Sequence, residues 1–190
     1  MKKKPFVILL AIVIVLIILG VIGNFVYWKA KISTLRDISQ KQKEFLAKDN
    51  YNYKITAKTA ENVTDIDYYR KGEQCIIFTN IKDNNTQSTA KLISLNENGK
   101  NKNYCEKGKE EILKGNGIVF GANPVNFDFE NASDKEILEF LKRQDISIKS
   151  ATYNNKKCYI YSNEDNKIFY LDKENGLVIK YEESETYLEY

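Results

Sequence analysis

The chain contains no histidine. Its absence removes the commonest general base, the commonest metal ligand and the usual proton switch near neutral pH. Ser-His and Cys-His nucleophilic machinery go with it, although carboxylate and lysine chemistry do not. Proline occurs only at Pro5 and Pro124, and glycine nine times in 190 residues. No low-complexity linker or stalk of the usual Pro/Gly/Ser composition can be drawn from so little. An excess of charge is also missing from most of the chain. The formal balance is +3, and setting aside Lys2, Lys3 and Lys4 reduces 29 basic residues to 26, equal to the 26 acidic ones. A neutral body with interspersed charges has no electrostatic footprint for nucleic acid.

Cysteine is scarce and odd in number: Cys75, Cys105 and Cys158. No C-x-x-C pair occurs, which argues against a metal centre or a thioredoxin-like redox motif. Two readings stay open. Outside the cell, a Cys75–Cys105 disulfide with one spare thiol is compatible with the count. Alternatively each cysteine is a small apolar residue within a strand, the reading that Gln74-Cys75-Ile76-Ile77 and Lys157-Cys158-Tyr159-Ile160 favour.

What is present in abundance is an apolar N-terminus. Between Lys4 and Lys29 there is no charged residue, and the run from Phe6 to Gly23 is unbroken. At about 1.5 Å per helical residue this crosses a hydrocarbon core of about 30 Å. A signal peptide needs only about 7–15 apolar residues and a small-residue cleavage site, so the length favours an uncleaved anchor. Tyr27 and Trp28 stand where the run ends, as aromatic rings do in the headgroup layer. The short basic N-terminus predicts a cytoplasmic start and an extracytoplasmic remainder, since Lys2, Lys3 and Lys4 precede the span while Lys29, Lys31 and Arg36 follow it. The expected organisation is an anchor over 1–28, a juxtamembrane helix over 29–48 and one α+β domain over 49–190.

In the juxtamembrane segment Ile32, Leu35, Ile38, Phe45 and Leu46 recur at helical spacing, with Gln42 interrupting the stripe. The stripe is too short for a coiled-coil stalk and suits packing on a following sheet. From Tyr51 the period becomes two. Strands are expected at Tyr51–Ala57, Val63–Arg70, Gln74–Ile81 and Ser88–Asn96, with Asn98-Gly99 as a tight turn. Residues 100–117 read as a loop holding a short helical piece at Lys109–Leu113, and Gly117–Phe120 as an extended edge. Ser133 with Glu136 forms a capping box for a helix to about Gln144. Ser147–Tyr153, Lys157–Ser162, Lys167–Asp172, Leu177–Glu182 and Thr186–Tyr190 complete an antiparallel meander. The fold class is α+β: a curved antiparallel sheet, an incomplete barrel, with helices packed on one face.

The stretch Tyr153–Tyr161, followed by Lys167-Ile168-Phe169-Tyr170-Leu171-Asp172-Lys173-Glu174-Asn175-Gly176-Leu177-Val178-Ile179-Lys180-Tyr181, resembles the closing hairpins of the LolA/RseB-like lipoprotein-carrier superfamily. That resemblance is specific over about 30 residues and implies an incomplete barrel with an apolar cavity for acyl chains or a partner's peptide. The carrier members of that family are soluble, whereas this chain keeps an anchor, which favours a tethered binder over a shuttle. PepSY-type domains are similar over residues 133–183, where Asp172–Val178 fits their hairpin. Neither family supplies a catalytic residue.

Other candidate sites carry little. Asp172–Gly176 lacks the spacing of a calcium loop and reads as a hairpin turn. Asp65/Asp67 and Asp128/Glu130 share strand faces, a geometry compatible with acid/base work and equally with solvated carboxylates. No cofactor is expected. The sequence therefore points to a non-enzymatic, single-pass membrane protein. Its partners are the bilayer and an apolar ligand, a lipoprotein or another membrane protein. The alternative is a PepSY-like regulatory or structural domain without a ligand.

Overall fold

The computed structural model describes residues 4–97, 100–106, 126–163 and 167–183, the side chains of 4–9 and 101 excepted. The expected Asn98-Gly99 turn, the Lys109–Leu113 helical piece, the Gly117–Phe120 edge and the Thr186–Tyr190 strand lie outside the described residues. The expected anchor and juxtamembrane segments are one element, a continuous helix α1 over Lys4–Leu46. Its apolar part is long and hydrophobic enough to cross a membrane. No Pro interrupts it after its first turn.

Among the described residues nine strands and a second helix follow: β1 (Asn50–Lys58), β2 (Asn62–Lys71), β3 (Gln74–Asp83), β4 (Thr89–Glu97), β5 (Lys100–Cys105), then helix α2 (Asp134–Arg143) and β6 (Ser147–Tyr153), β7 (Lys156–Ser162), β8 (Lys167–Asp172) and β9 (Val178–Glu183). They form one open sheet in the order β5-β4-β3-β2-β1-β9-β8-β7-β6. It is two antiparallel meanders rather than one. The two are joined by a short parallel contact between β1 and β9, Thr56–Lys58 against Lys180–Glu182. Both meanders are built from adjacent hairpins, and the parallel seam is possible because the segment carrying α2 supplies the long crossover. The sheet is not closed into a barrel.

Part of the expected 100–117 loop is strand. Lys100–Cys105 pairs antiparallel with β4 from Glu97↔Lys100 to Leu92↔Cys105. Its Lys- and Asn-rich composition has poor strand propensity, but a neighbouring ladder outweighs propensity, and lysines are usual on an edge strand. The β6–β7 turn matches its sequence signal. Asn154 and Asn155 have φ of 47° and 63°, the left-handed pair of a two-residue hairpin.

Ile32, Leu35 and Ile38 of α1 share a core with Ile55, Ile137, Leu141, Phe169, Leu171 and Val178. Gln42 does not break the α1 stripe. It is buried in line with Ile38, its side-chain amide donating to the Gly176 carbonyl at 2.7 Å while its oxygen accepts from the Phe127 N–H at 3.0 Å. Helix α2 starts at the expected capping box, with the Ser133 hydroxyl accepting from the Glu136 N–H and the Glu136 carboxylate accepting from the Ser133 N–H. It buries Ile137 and Leu141 fully, Leu138 and Phe140 only in part.

Candidate functional site

The segment leading into α2 is fastened along α1 by side chains spaced one turn apart. After Gln42 on Phe127, Ser39 donates to the Phe127 carbonyl at 2.8 Å and accepts from the Phe129 N–H at 2.9 Å. Arg36 then donates to the Ala132 carbonyl at 2.9 Å and to Asp134 at 3.0 Å. Lys29 reaches the other Asp134 oxygen at 2.7 Å, and Lys31 the Ile146 carbonyl at 3.0 Å. Strap and helix therefore run antiparallel, from the C-terminal end of α1 down to the point where the apolar run ends.

The Asp134 carboxyl is held below the usual carboxylate range, first by its hydrogen bond from Lys29 and then by that from Arg36. A lowered folded value means that its contribution is complete above the ordinary Asp value near 4 and is lost as pH falls through the lowered one. The melting temperature difference between the parent and Asp134→Asn is thus expected to stay constant from about pH 5 to 8 and to shrink below about pH 4. A difference already shrinking at pH 6 would contradict this assignment.

The face of the sheet that turns away from α1 carries a different feature. The register sets Tyr69 beside Ile76 and Ile76 beside Leu95, and in the next row Phe78 beside Ile93 and Ile93 beside Tyr104. These residues form an apolar band two rows high across β2 to β5. Tyr69, Ile76, Phe78, Ile93 and Tyr104 are each 37–55% exposed. Charged and polar residues border it, with Lys71, Gln74 and Glu97 on one side and Asp67, Asn80 and Lys91 on the other. Tyr69 and Phe78 meet edge-to-face, with ring centroids 5.9 Å apart. Contiguous exposed apolar surface of this kind marks an interaction site. The alternation that produces it was visible in the sequence, but which face of β2–β5 the helices would leave bare was not.

Asp65 and Asp67 also lie on this face and are engaged across the strand pair. Asp65 accepts from the Thr56 hydroxyl at 2.7 Å, and Lys54 sits 2.8 Å from Asp67. Glu130 pairs with Lys43. The carboxylates thus serve cross-strand and helix–strap contacts rather than facing one another across a cleft. Asp172 is buried in the β8–β9 turn, where it accepts from the Glu174 N–H at 2.9 Å and pairs with Lys156 at 3.3 Å. It is a turn residue, as its spacing implied.

The structure does not bring Cys75 and Cys105 together. They lie on β3 and β5, opposite Asn96 and Leu92 of the intervening β4. Two strand spacings and a four-residue offset place their Cα atoms roughly 17 Å apart, where a disulfide spans at most about 7 Å. The expected pairing is corrected on that ground. Cys158 is fully buried, and burial pushes its thiol up, so it packs as a small apolar residue.

Between Lys43 and Leu46 of α1, Ala47 just after it, and Asn126 and Asp128 of the strap lies a cleft of about 390 Å³. The Lys43–Glu130 ion pair stands at this cleft, which makes it a poor seat for an acyl chain. Elsewhere Tyr51, Tyr53 and Tyr68 stack, Tyr53 and Tyr68 at 4.9 Å, with Phe45 against Tyr51 at 5.1 Å. Burial raises the Tyr53 and Tyr68 hydroxyls further above their ordinary value, so these rings are neutral packing elements. No family model matches this chain, and no curated protein and no solved structure is significantly similar to it.

Proposed function

We propose that this protein is a non-enzymatic, single-pass membrane protein whose sheet domain stands outside the cytoplasm and binds a partner protein. On this reading residues around Phe6, Gly23 and Trp28 lie in or at the edge of the bilayer, and helices α1 and α2 pack on one face of a LolA/RseB-like sheet. The bound group is an extended apolar segment of another protein rather than a free acyl chain. The observation that carries it is the exposed band of Tyr69, Ile76, Phe78, Ile93 and Tyr104 on the face opposite α1. It is an open, solvent-facing strand surface bordered by charge, as a protein interface is, whereas an acyl chain needs an enclosing cavity. The core on the α1 side is filled by Ile32, Leu35, Ile38, Phe169 and Leu171, which favours a partner segment over a lipid held inside. A PepSY-like regulatory domain is the second reading, and the order α2 then β6 to β9 within residues 133–183 favours it.

A photo-crosslinking side chain at Ile93 in the full-length protein, irradiated in intact cells, tests the binding reading. A discrete protein adduct is expected from position 93, absent from a control at Glu73, and lost when Phe78 and Tyr104 are both changed to Asp. Identical patterns at 93 and 73 would sink it. Orientation is read separately with a Glu73→Cys variant at an exposed turn. A membrane-impermeant maleimide labels it in intact cells if the domain is extracytoplasmic, and only after lysis if the domain faces the cytoplasm.

A further inference from the structure

Both ends of α2 are held at nearly the same height on α1. Asp134, at its start, is bonded to Lys29 and Arg36. At its end the Lys142 ammonium lies 5.6 Å from the Trp28 ring, and the Ile146 carbonyl just beyond accepts from Lys31. A helix of ten residues is about 15 Å long, so it must cross α1 rather than run beside it. With α1 passing through the bilayer, α2 lies close to parallel with the membrane plane, at the level where Tyr27 and Trp28 end the apolar run.

The roll of α2 is fixed by its contacts. Phe140 points up the strap to Phe129, ring centroids 5.0 Å apart, while Ile137 and Leu141 enter the core. Lys142 points the other way, to Trp28. At 100° per residue the row on the Trp28 side is Lys135, Leu138 and Lys142; Glu136 is turned away from it, while Glu139 stands at its edge, 4.0 Å from Lys135. Lys135 and Lys142 are exposed and Leu138 half-buried. Two lysines flanking a leucine, next to Trp28, Lys29 and Lys31, match a phosphate headgroup layer over an acyl boundary.

We infer that this row of α2 docks on the bilayer surface through lipid phosphates, so that the domain is seated on the membrane and does not swing from a tether. The inference rests on the reading of α1 as a span. It gives the sheet a fixed stance: the Asp134 end of the strap and the Lys58 and Asp83 ends of β1 and β3 lie towards the lipid, and the Gly72 turn lies about 27 Å above Trp28, at the far end of α1, where the Gly72 N–H donates to the Asp49 carbonyl.

Trp28 is the sole tryptophan, which makes depth a direct measurement. The full chain is placed in nanodiscs containing a lipid with a nitroxide on its headgroup, and tryptophan quenching is compared among the parent, Trp28→Phe/Glu139→Trp and Trp28→Phe/Glu73→Trp. Quenching is expected for the parent and at 139 alike, with none at 73. Changing Lys135 and Lys142 together to Glu is expected to abolish quenching at 139. Leu138→Trp in the Trp28→Phe background repeats the reading at a second position of the row without removing a lysine, and circular dichroism confirms that each variant folds. If 139 and 138 stay bright while the parent is quenched, docking is wrong and the span stands. If the parent is bright too, the span itself is wrong. Quenching at 139 that survives the double charge reversal overturns recognition through phosphates.

Discussion

Replacing Gly176 with alanine should destabilise the protein by about 3 kcal/mol, and with valine by more. Gly176 closes the β8–β9 turn with φ +72°, a left-handed conformation that costs any residue with a Cβ. The added carbon would also sit 2.6 Å from the Ile38 carbonyl oxygen, 2.9 Å from Gln42 Cγ and 3.2 Å from the Gln42 nitrogen. Two of those atoms are helix backbone and cannot rotate aside, so α1 itself would have to lift from the turn. Gly72 is the natural control. Its φ is +59°, yet nothing lies within 4 Å of its would-be Cβ, so Gly72→Ala pays the backbone strain alone, about 1 kcal/mol. Thermal unfolding of the full chain in nanodiscs, followed by circular dichroism, separates the two. A loss of about 10 °C is expected for Gly176→Ala at about 2–4 °C per kcal/mol for a domain of this size. Equal shifts for the two variants would mean that α1 is not seated on the turn.

Gln42→Leu is expected to cost about 2–4 kcal/mol although it makes the α1 stripe more apolar. The buried amide serves the Gly176 carbonyl and the Phe127 N–H together, linking the β8–β9 turn to the strap through the helix. Leucine fills the space but leaves one buried acceptor and one buried donor without their present partner, and each such loss costs about 1–3 kcal/mol. Gln40→Leu, on the exposed side of the same helix, should change stability by less than about 0.5 kcal/mol. The discriminating measurement is the urea midpoint of both variants in the same detergent. A Gln42→Leu protein as stable as the Gln40→Leu one would show that the amide does not bridge helix, strap and turn.

These two positions show how sequence and tertiary structure divide the work. Asn175-Gly176 was legible as a turn because left-handed backbone selects those residues, and the chemistry is local. That α1 would press on it was not, since a contact between residues 38 and 176 leaves no trace in either segment alone. Gln42 looked like an interruption because a periodicity argument scores a polar residue against the apolar stripe. It cannot see a carbonyl and an N–H brought from 134 and 85 positions away. The loop expected at Lys100–Cys105 failed in the same way, because an edge strand is made by its partner's ladder more than by its own propensity. The Cys75–Cys105 pairing failed because strand order and register set distances that residue counts do not.

The sequence by itself determined the apolar helix, its aromatic and basic border, the capping box at Ser133, most strand positions and the α+β class. All of these follow from local periodicity, turn chemistry and the cost of burying charge in hydrocarbon. Tertiary structure alone decided that two meanders meet at the β1–β9 seam, and that the helices leave bare the face carrying Tyr69, Phe78 and Ile93. Those outcomes depend on which distant surfaces bury each other. An alternating strand offers two faces, and only the packed chain selects the one that meets solvent.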